Sequence, residues 1–363
     1  MFKKWGISAA ALLLTAAVVL PACSSKQEPK EALKAAATKA TTMTSYEMKS
    51  KFVINNLTID EGANESEAMT TQILSMLKNA EISVDGVYQA DPMQTEATLV
   101  LNLKGDMAMS FTIPMVITPE KMFIKIPSIP FVPLPETLVG KFVEIDPKAL
   151  AEQEGAEFNP TTLDTQKAQK LSNEVLDTLM AEYDETKYFK NIDPKDAKLP
   201  EGVDAKQVVQ FQVTNDNIKE AITIFVNDAL PKIIDIVGKE EYKDMLQIDA
   251  DELAKAKKEI QSGDARAEVD KGLADLGKYL TINQFHFNTA INKDNFPIYQ
   301  DLVMDIKVSD PDKGTNVGLS MTGSNQYSKI NEKPAFKIGI PQGDDVVTMD
   351  QLEEQFGGAM GSY

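Results

Sequence analysis

One histidine and one cysteine in 363 residues leave few routes to imidazole or thiol chemistry. The histidine, His286, sits in a segment where Phe285, Phe287 and Ile291 mark the apolar face. That places it beside Gln284 and Asn288 on the wetted face. No Ser or Asp is paired with it by spacing, and a surface histidine is the plainer reading. The same two counts exclude an internal disulfide, a multi-histidine or Cys-based metal site and an iron–sulfur cluster. The 55 acidic residues supply carboxylate pairs everywhere, so none stands out as an acid–base pair. Asp310-Pro311-Asp312-Lys313-Gly314 comes nearest to a calcium loop. Its glycine is one position early and Met321 stands where a bidentate Glu belongs, so it reads as a hairpin turn. There is no phosphate-cradling loop and no dinucleotide fingerprint. No cofactor, metal or catalytic residue is expected, and the chain reads as a non-enzyme.

Cys23 carries chemistry of another kind. Residues 1–22 read as a leader, with Lys3 and Lys4 as its positive start and Ile7 to Leu20 as a short apolar run. The run ends in Leu20-Pro21-Ala22-Cys23, which resembles a bacterial lipobox. Cleavage after Ala22 would make Cys23 the first mature residue, with its thiol carrying a diacylglycerol. An ordinary secretory leader is the alternative; the position of Cys23 and the absence of any other Cys favour lipidation. Ser24 to Pro29 then form a polar tether, so 23–29 links the anchor to the folded part. Two acyl chains hold a protein stably to a bilayer. No later stretch is long and apolar enough to span one, which predicts a soluble body on the outer face of the cytoplasmic membrane. The membrane is thus one expected partner. The formal charge of −18 argues against nucleic acid as another.

Two features suit an apolar ligand. Sixteen methionines include Met107, Met109, Met115 and Met122, which share strand faces with Phe111 and other apolar residues. Methionine adapts to varied apolar shapes, though the same residues would also fill a core. The second feature is Ile126-Pro127-Ser128-Ile129-Pro130-Phe131-Val132-Pro133-Leu134-Pro135. Its four prolines bar helix and central strand, yet Ile129, Phe131, Val132 and Leu134 call for burial. Such a loop either covers a hydrophobic groove, touches lipid or plugs the core. The candidate ligand-binding set is therefore Met107, Met109, Phe111, Met115, Met122, Ile129, Phe131 and Leu134.

The elements that must position these residues follow from periodicity. Leu33, Ala36, Ala37, Ala40 and Met43 recur at helical spacing, and period-two alternation starts at Tyr46. Asn64 and Glu67 suggest the cap of a short helix. Strand patterns follow around Ile82–Tyr88, Ala97–Leu103, Met107–Met115 and Met122–Ile126, each with a polar opposite face. Helices occupy the middle: one opening at Asn159-Pro160, one over 217–237 kinked or divided at Pro231, one capped by Asp249 and Glu252, and one striped by Val269 to Leu280. A strand at Val208–Val213 lies among them. Strands return at Ile282–Ile291, Ile298–Val308 and Asn316–Gln326. Both strand groups fit one sheet whose apolar face the helices cover; two separate domains are the alternative. Residues 30–349 make the expected domain, and 350–363 read as a flexible tail.

The lipobox, the element order and the closing Tyr327-Ser328-Lys329-Ile330-Asn331-Glu332…Ile338-Gly339-Ile340-Pro341 together resemble the LolA/LppX-like lipoproteins of Gram-positive bacteria. That resemblance implies an α+β fold: a strongly curved antiparallel sheet, an incomplete barrel, with helices packed on its concave face. It also implies a lipid or other apolar ligand, such as an acyl chain, held between sheet and helices. The alternative is a structural or interaction lipoprotein of the envelope with a filled core. Arg266 is the only arginine, so the arginine-rich entry of the periplasmic lipoprotein carriers is absent.

Overall fold

The computed structural model describes residues 26–60, 77–104, 108–128, 134–149, 165–246, 248–310 and 314–360. Its frame is one strongly curved, open sheet with helices on its concave face, an α+β fold with an incomplete barrel. The first strand group is β1 (Ser45–Asp60), β2 (Glu81–Ala90), β3 (Met93–Leu103), β4 (Met109–Ile117), β5 (Met122–Lys125) and β6 (Phe142–Ile145). After the helical middle come β7 (Phe189–Ile192), β8 (Gln207–Gln212), β9 (Leu280–Ile291), β10 (Pro297–Asp310), β11 (Thr315–Ser328) and β12 (Val346–Thr348). The spatial order is β12-β6-β5-β4-β3-β2-β1-β11-β10-β9-β8-β7. The two groups join where β1 pairs antiparallel with β11. Every pair is antiparallel except β12 with β6, so the sheet is mixed rather than purely antiparallel.

Helices among the described residues are α1 (Pro29–Ala40), α2 (Thr165–Glu182), α3 (Glu185–Tyr188), α4 (Ile218–Ile224), α5 (Leu230–Val237), α6 (Glu240–Leu246), α7 (Ala250–Ile260), α8 (Gly263–Tyr279) and α9 (Met349–Met360). Between α4 and α5 the chain stays helical through a π turn, Phe225–Ala229, in which the Leu230 N–H donates to the Phe225 carbonyl. Pro231 has no N–H to give the regular ladder. The wider turn just ahead of it absorbs the fault without breaking the rod, so 217–237 is neither divided nor sharply interrupted at Pro231. The Asp249 side chain accepts from the N–H groups of Asp251 and Glu252 and starts α7, as the sequence indicates.

The main core lies where α1, α2 and α4 meet β7–β9. Ala32 and Ala36 are almost fully buried there with Tyr188, Val209 and Ile291. Alanine lets α1 sit close to the strands. Around Phe211 a cluster of rings forms, with Tyr183, Tyr188 and Phe189 at centroid distances of 5.4, 6.0 and 5.3 Å. Aromatic contacts of this kind add to plain area burial. Glu174 of α2 holds the helical layer together: it accepts from Lys239 at 2.5 Å and from the Tyr242 hydroxyl at 2.9 Å. The Lys239 ammonium, with help from that hydroxyl, keeps its carboxyl below the usual carboxylate range.

At the other end, α9 covers β6 and β12, where Met349 and Leu352 pack with Leu138, Val143 and Val347. Residues 350–360, expected in a flexible tail, are therefore helical. The start of α9 is a reciprocal cap in which the Gln351 N–H donates to Thr348 Oγ1 and the Thr348 N–H to Gln351 Oε1. The segment before it is latched to the sheet by Glu96. This buried carboxylate accepts from the N–H groups of Lys337, Ile338 and Gly339 at 2.6–2.9 Å.

Candidate functional site

The helices leave part of the concave face uncovered, and that gap is a cavity of about 860 Å³. Its roof is α1, through Leu33, Ala36, Ala37 and Ala40, and α2, through Leu176, Leu179 and Met180. Phe225, from the π turn, closes one side. The floor is the sheet: Phe189, Val209, Phe211, Phe285, Phe287 and Leu302, with Tyr46 and Tyr327 at the β1–β11 seam. Three alanines on α1 supply the width, because leucines there would fill the space. Thr41, Gln169, Ser172, Asn173, Thr289 and Gln300 add neutral polar groups.

Among the described residues, no Asp, Glu, Lys, Arg or His lines this cavity. The ionisable groups present are tyrosines, and burial raises the pKa of Tyr46 and Tyr183 above the ordinary phenol value. Both are neutral hydroxyls at physiological pH. Leu176, Phe225 and Phe287 expose 36–39% of their surface, well above the core residues beside them. They form an apolar mouth, a feature with more meaning than single exposed apolar residues scattered over a surface.

The cavity does not end at β10. A second hollow of about 440 Å³ shares Phe287, Gln300 and Leu302 with it and runs on over Gly323, Phe52, Ile82 and Val84. Strand register explains the continuity. Cross-strand partners form one unbroken row on the concave face: Phe189, Phe211, Phe287, Leu302, Gly323, Phe52, Ile82, Leu101, Phe111. It crosses nine strands and carries no polar side chain. At about 4.8 Å per strand it is roughly 38 Å long. Gly323 keeps the middle shallow, since a Cβ there would sit 3.6 Å from Phe52 and 3.9 Å from Leu302.

The sequence-derived ligand set falls at the far end of this row. Phe111 is its last member, and Met109 and Met115 share its face, opposite Leu103 and Ala97. Met122 lies across from Ile117 and Ile145 on the same face. None of the four lines the cavity, and neither does Leu134, which is half-buried. Met107, Ile129 and Phe131 lie outside the described residues, as do Cys23 and the helix expected from Asn64. Periodicity placed these residues on the face that the row follows, but it did not show the stretch that the helices leave open. That stretch is set by α1 and α2, whose residues read as ordinary core stripes. The usable signal was the run of alanines at 36, 37 and 40.

The chain enters the body beside this cavity. The Gln27 N–H donates to Gln207 Oε1 at 3.3 Å, and Gln207 Nε2 returns a bond to the Gln27 carbonyl at 2.8 Å. Gln207 is buried, so the entry point is fixed at the β7–β8 edge.

No protein-family model matches the chain, and no curated protein matches it. Among solved structures, the bifunctional dehydratase-cyclase domain in ambruticin biosynthesis is similar at 10% identity over 82% of this chain and 79% of that one. Its TM-score of 0.09 is too low to inform fold or function.

Proposed function

We propose that this chain is a lipid-anchored, extracytoplasmic, non-enzymatic protein that binds an acyl chain or similar apolar ligand between sheet and helices. The observation that carries the reading is the unbroken apolar row leading out of a cavity with no charged lining. A cavity of that size lies within the usual range for small-molecule sites, about 300–1,000 Å³. An apolar mouth left in water is unfavourable, and covering it with a ligand gains about 25 cal/mol per Å². The lack of a charged group favours holding a ligand over transforming it. A filled core, the alternative, leaves the hollow without a purpose.

The anchor belongs to the same proposal. With Cys23 lipidated and Gln27 clamped to Gln207, the intervening chain spans at most about 14 Å. The β7–β8 edge, and the cavity beside it, would then stay close to the source of acyl chains. Kinship with the LolA/LppX-like lipoproteins is part of this reading and rests on element order and the closing motif. A titration with a fluorescent fatty acid tests it: saturable binding at one site supports the proposal, and absence of binding overturns it.

A further inference from the structure

The convex face of the same sheet holds a second, chemically opposite hollow of about 450 Å³. It lies over β8–β11, with the turn at residues 196–198 along one side. Lys198 in that turn is held at φ 51°, a left-handed conformation that a lysine adopts only at a cost. Across the floor, three planar polar side chains lie in series. Gln210 Nε2 donates to Asn288 Oδ1 at 2.8 Å, and Asn288 Nδ2 donates to both Asp301 oxygens at 3.0 and 3.2 Å. His286, Tyr299 and Ser324 surround the carboxylate.

Asp301 is the unusual member. It is half-buried and has no ion pair among the salt bridges of the described residues, while Lys51 on the rim is engaged with Glu81 at 3.1 Å. Burial raises its pKa and lowers that of His286, which leaves the imidazole beside it uncharged at neutral pH. Asn288 uses only part of the capacity of the carboxylate, which has about four acceptor sites. Asp301 is among the residues that line the hollow.

We propose that this convex-face hollow is a second binding site, for a hydroxyl-rich ring such as a single sugar residue. A carboxylate with free lone pairs accepts from two neighbouring hydroxyls at once. The amide of Gln210 and the hydroxyls of Tyr299 and Ser324 can each donate or accept. Ile192 and Val303 offer apolar contact to the C–H face of a ring. Two lysines line the hollow, Lys51 and Lys198, but Lys51 is engaged with Glu81, and Asp301 and Asp196 disfavour a phosphate. A metal ion is disfavoured because no group of three His, Cys, Asp or Glu among the described residues is placed to hold one. An organic ammonium is the competing ligand, to be separated by experiment.

The test uses the full-length chain in detergent, labelled with isotopic histidine. With one histidine in the sequence, the imidazole signal reports this site alone. Glucose, N-acetylglucosamine and ethylammonium are titrated separately. The proposal expects saturable shifts with at least one sugar, with affinity weakened about ten-fold or more in both Asp301→Ala and Ser324→Ala. A thermal melt that matches the unsubstituted chain shows that both variants are folded. Shifts with ethylammonium alone, no shift with either sugar, or sugar shifts that survive both substitutions would overturn it.

Discussion

Gly323→Leu gives the sharpest test of the apolar row, because stability and binding should move differently. Gly323 lies at the midpoint, where cavity floor passes into groove, with Phe52 and Leu302 as cross-strand neighbours. An added Cβ would make only ordinary contacts with Phe52 and Leu302. Glycine inside a strand is unfavourable by roughly 0.5–1 kcal/mol relative to alanine, and the substitution should therefore leave stability unchanged or slightly raised. The leucine would stand in the groove and cut off Phe52, Ile82, Leu101 and Phe111. A chain deprived of cover for four methylenes loses about 3 kcal/mol at ~0.8 kcal/mol each. That is roughly 200-fold in Kd. A short fatty acid, confined to the cavity beneath α1 and α2, should bind as before. Competition of short and long fatty acids against a fluorescent analogue, beside a thermal melt, gives both readouts. A folded variant that binds long chains normally, or loses both lengths equally, would refute a continuous track.

Other outcomes follow from particular residues. Phe225→Ala removes a mouth residue that is 39% exposed. Covering that fraction of about 200 Å² of ring is worth about 2 kcal/mol, so fatty-acid affinity should fall about 25-fold; Met122→Ala, outside the cavity, should leave it unchanged. Glu96→Ala leaves three backbone N–H groups without their carboxylate, and should cost about 2–4 kcal/mol and speed hydrogen exchange at Lys337, Ile338 and Gly339. His286 should titrate below 6.5, because burial disfavours its charged form and Lys190 adds to that, against an opposing pull from Asp301. Its share of stability is then present above pH 6.5 and is lost as pH falls through the depressed folded value, while Asp301, raised by burial, works in the opposite sense in the acid range. Asp301→Asn should lower the imidazole pKa further, as read by NMR. Cys23→Ala should leave the chain unprocessed or free of membranes after fractionation and salt washing.

The sequence revealed the long elements and, apart from β5, missed the shortest strands for a physical reason. β1, β3, β10 and β11 run 11 to 16 residues, so period-two alternation declares them and their inner faces. β6 and β7 have four residues and β12 three, too few for a period. They are strands because distant partners supply their ladders. α9 was hidden by Gly357 and Gly358, although Thr348 and Gln351 already had capping spacing. The site was half legible. Alternation put Phe111 and Phe287 on apolar faces, but their place in one row depends on register across nine strands. The methionines of β4 lie at the other end of that row from the cavity, because residue type shows which face is apolar and not which part stays uncovered. His286 reads as a surface histidine on a wetted face, but the structure has it half-buried beside a buried Asn288, and its nearness to Asp301 comes from the β9–β10 pairing, which no local spacing shows.

Native mass spectrometry of the purified chain from residue 26 onward tests the central claim most directly. The account predicts one bound species with the mass of a fatty acid or other acyl lipid, exchangeable for added fatty acid and depleted in Gly323→Leu when the chain is long. A protein that carries no apolar ligand, and takes up none when fatty acid is added, would contradict it.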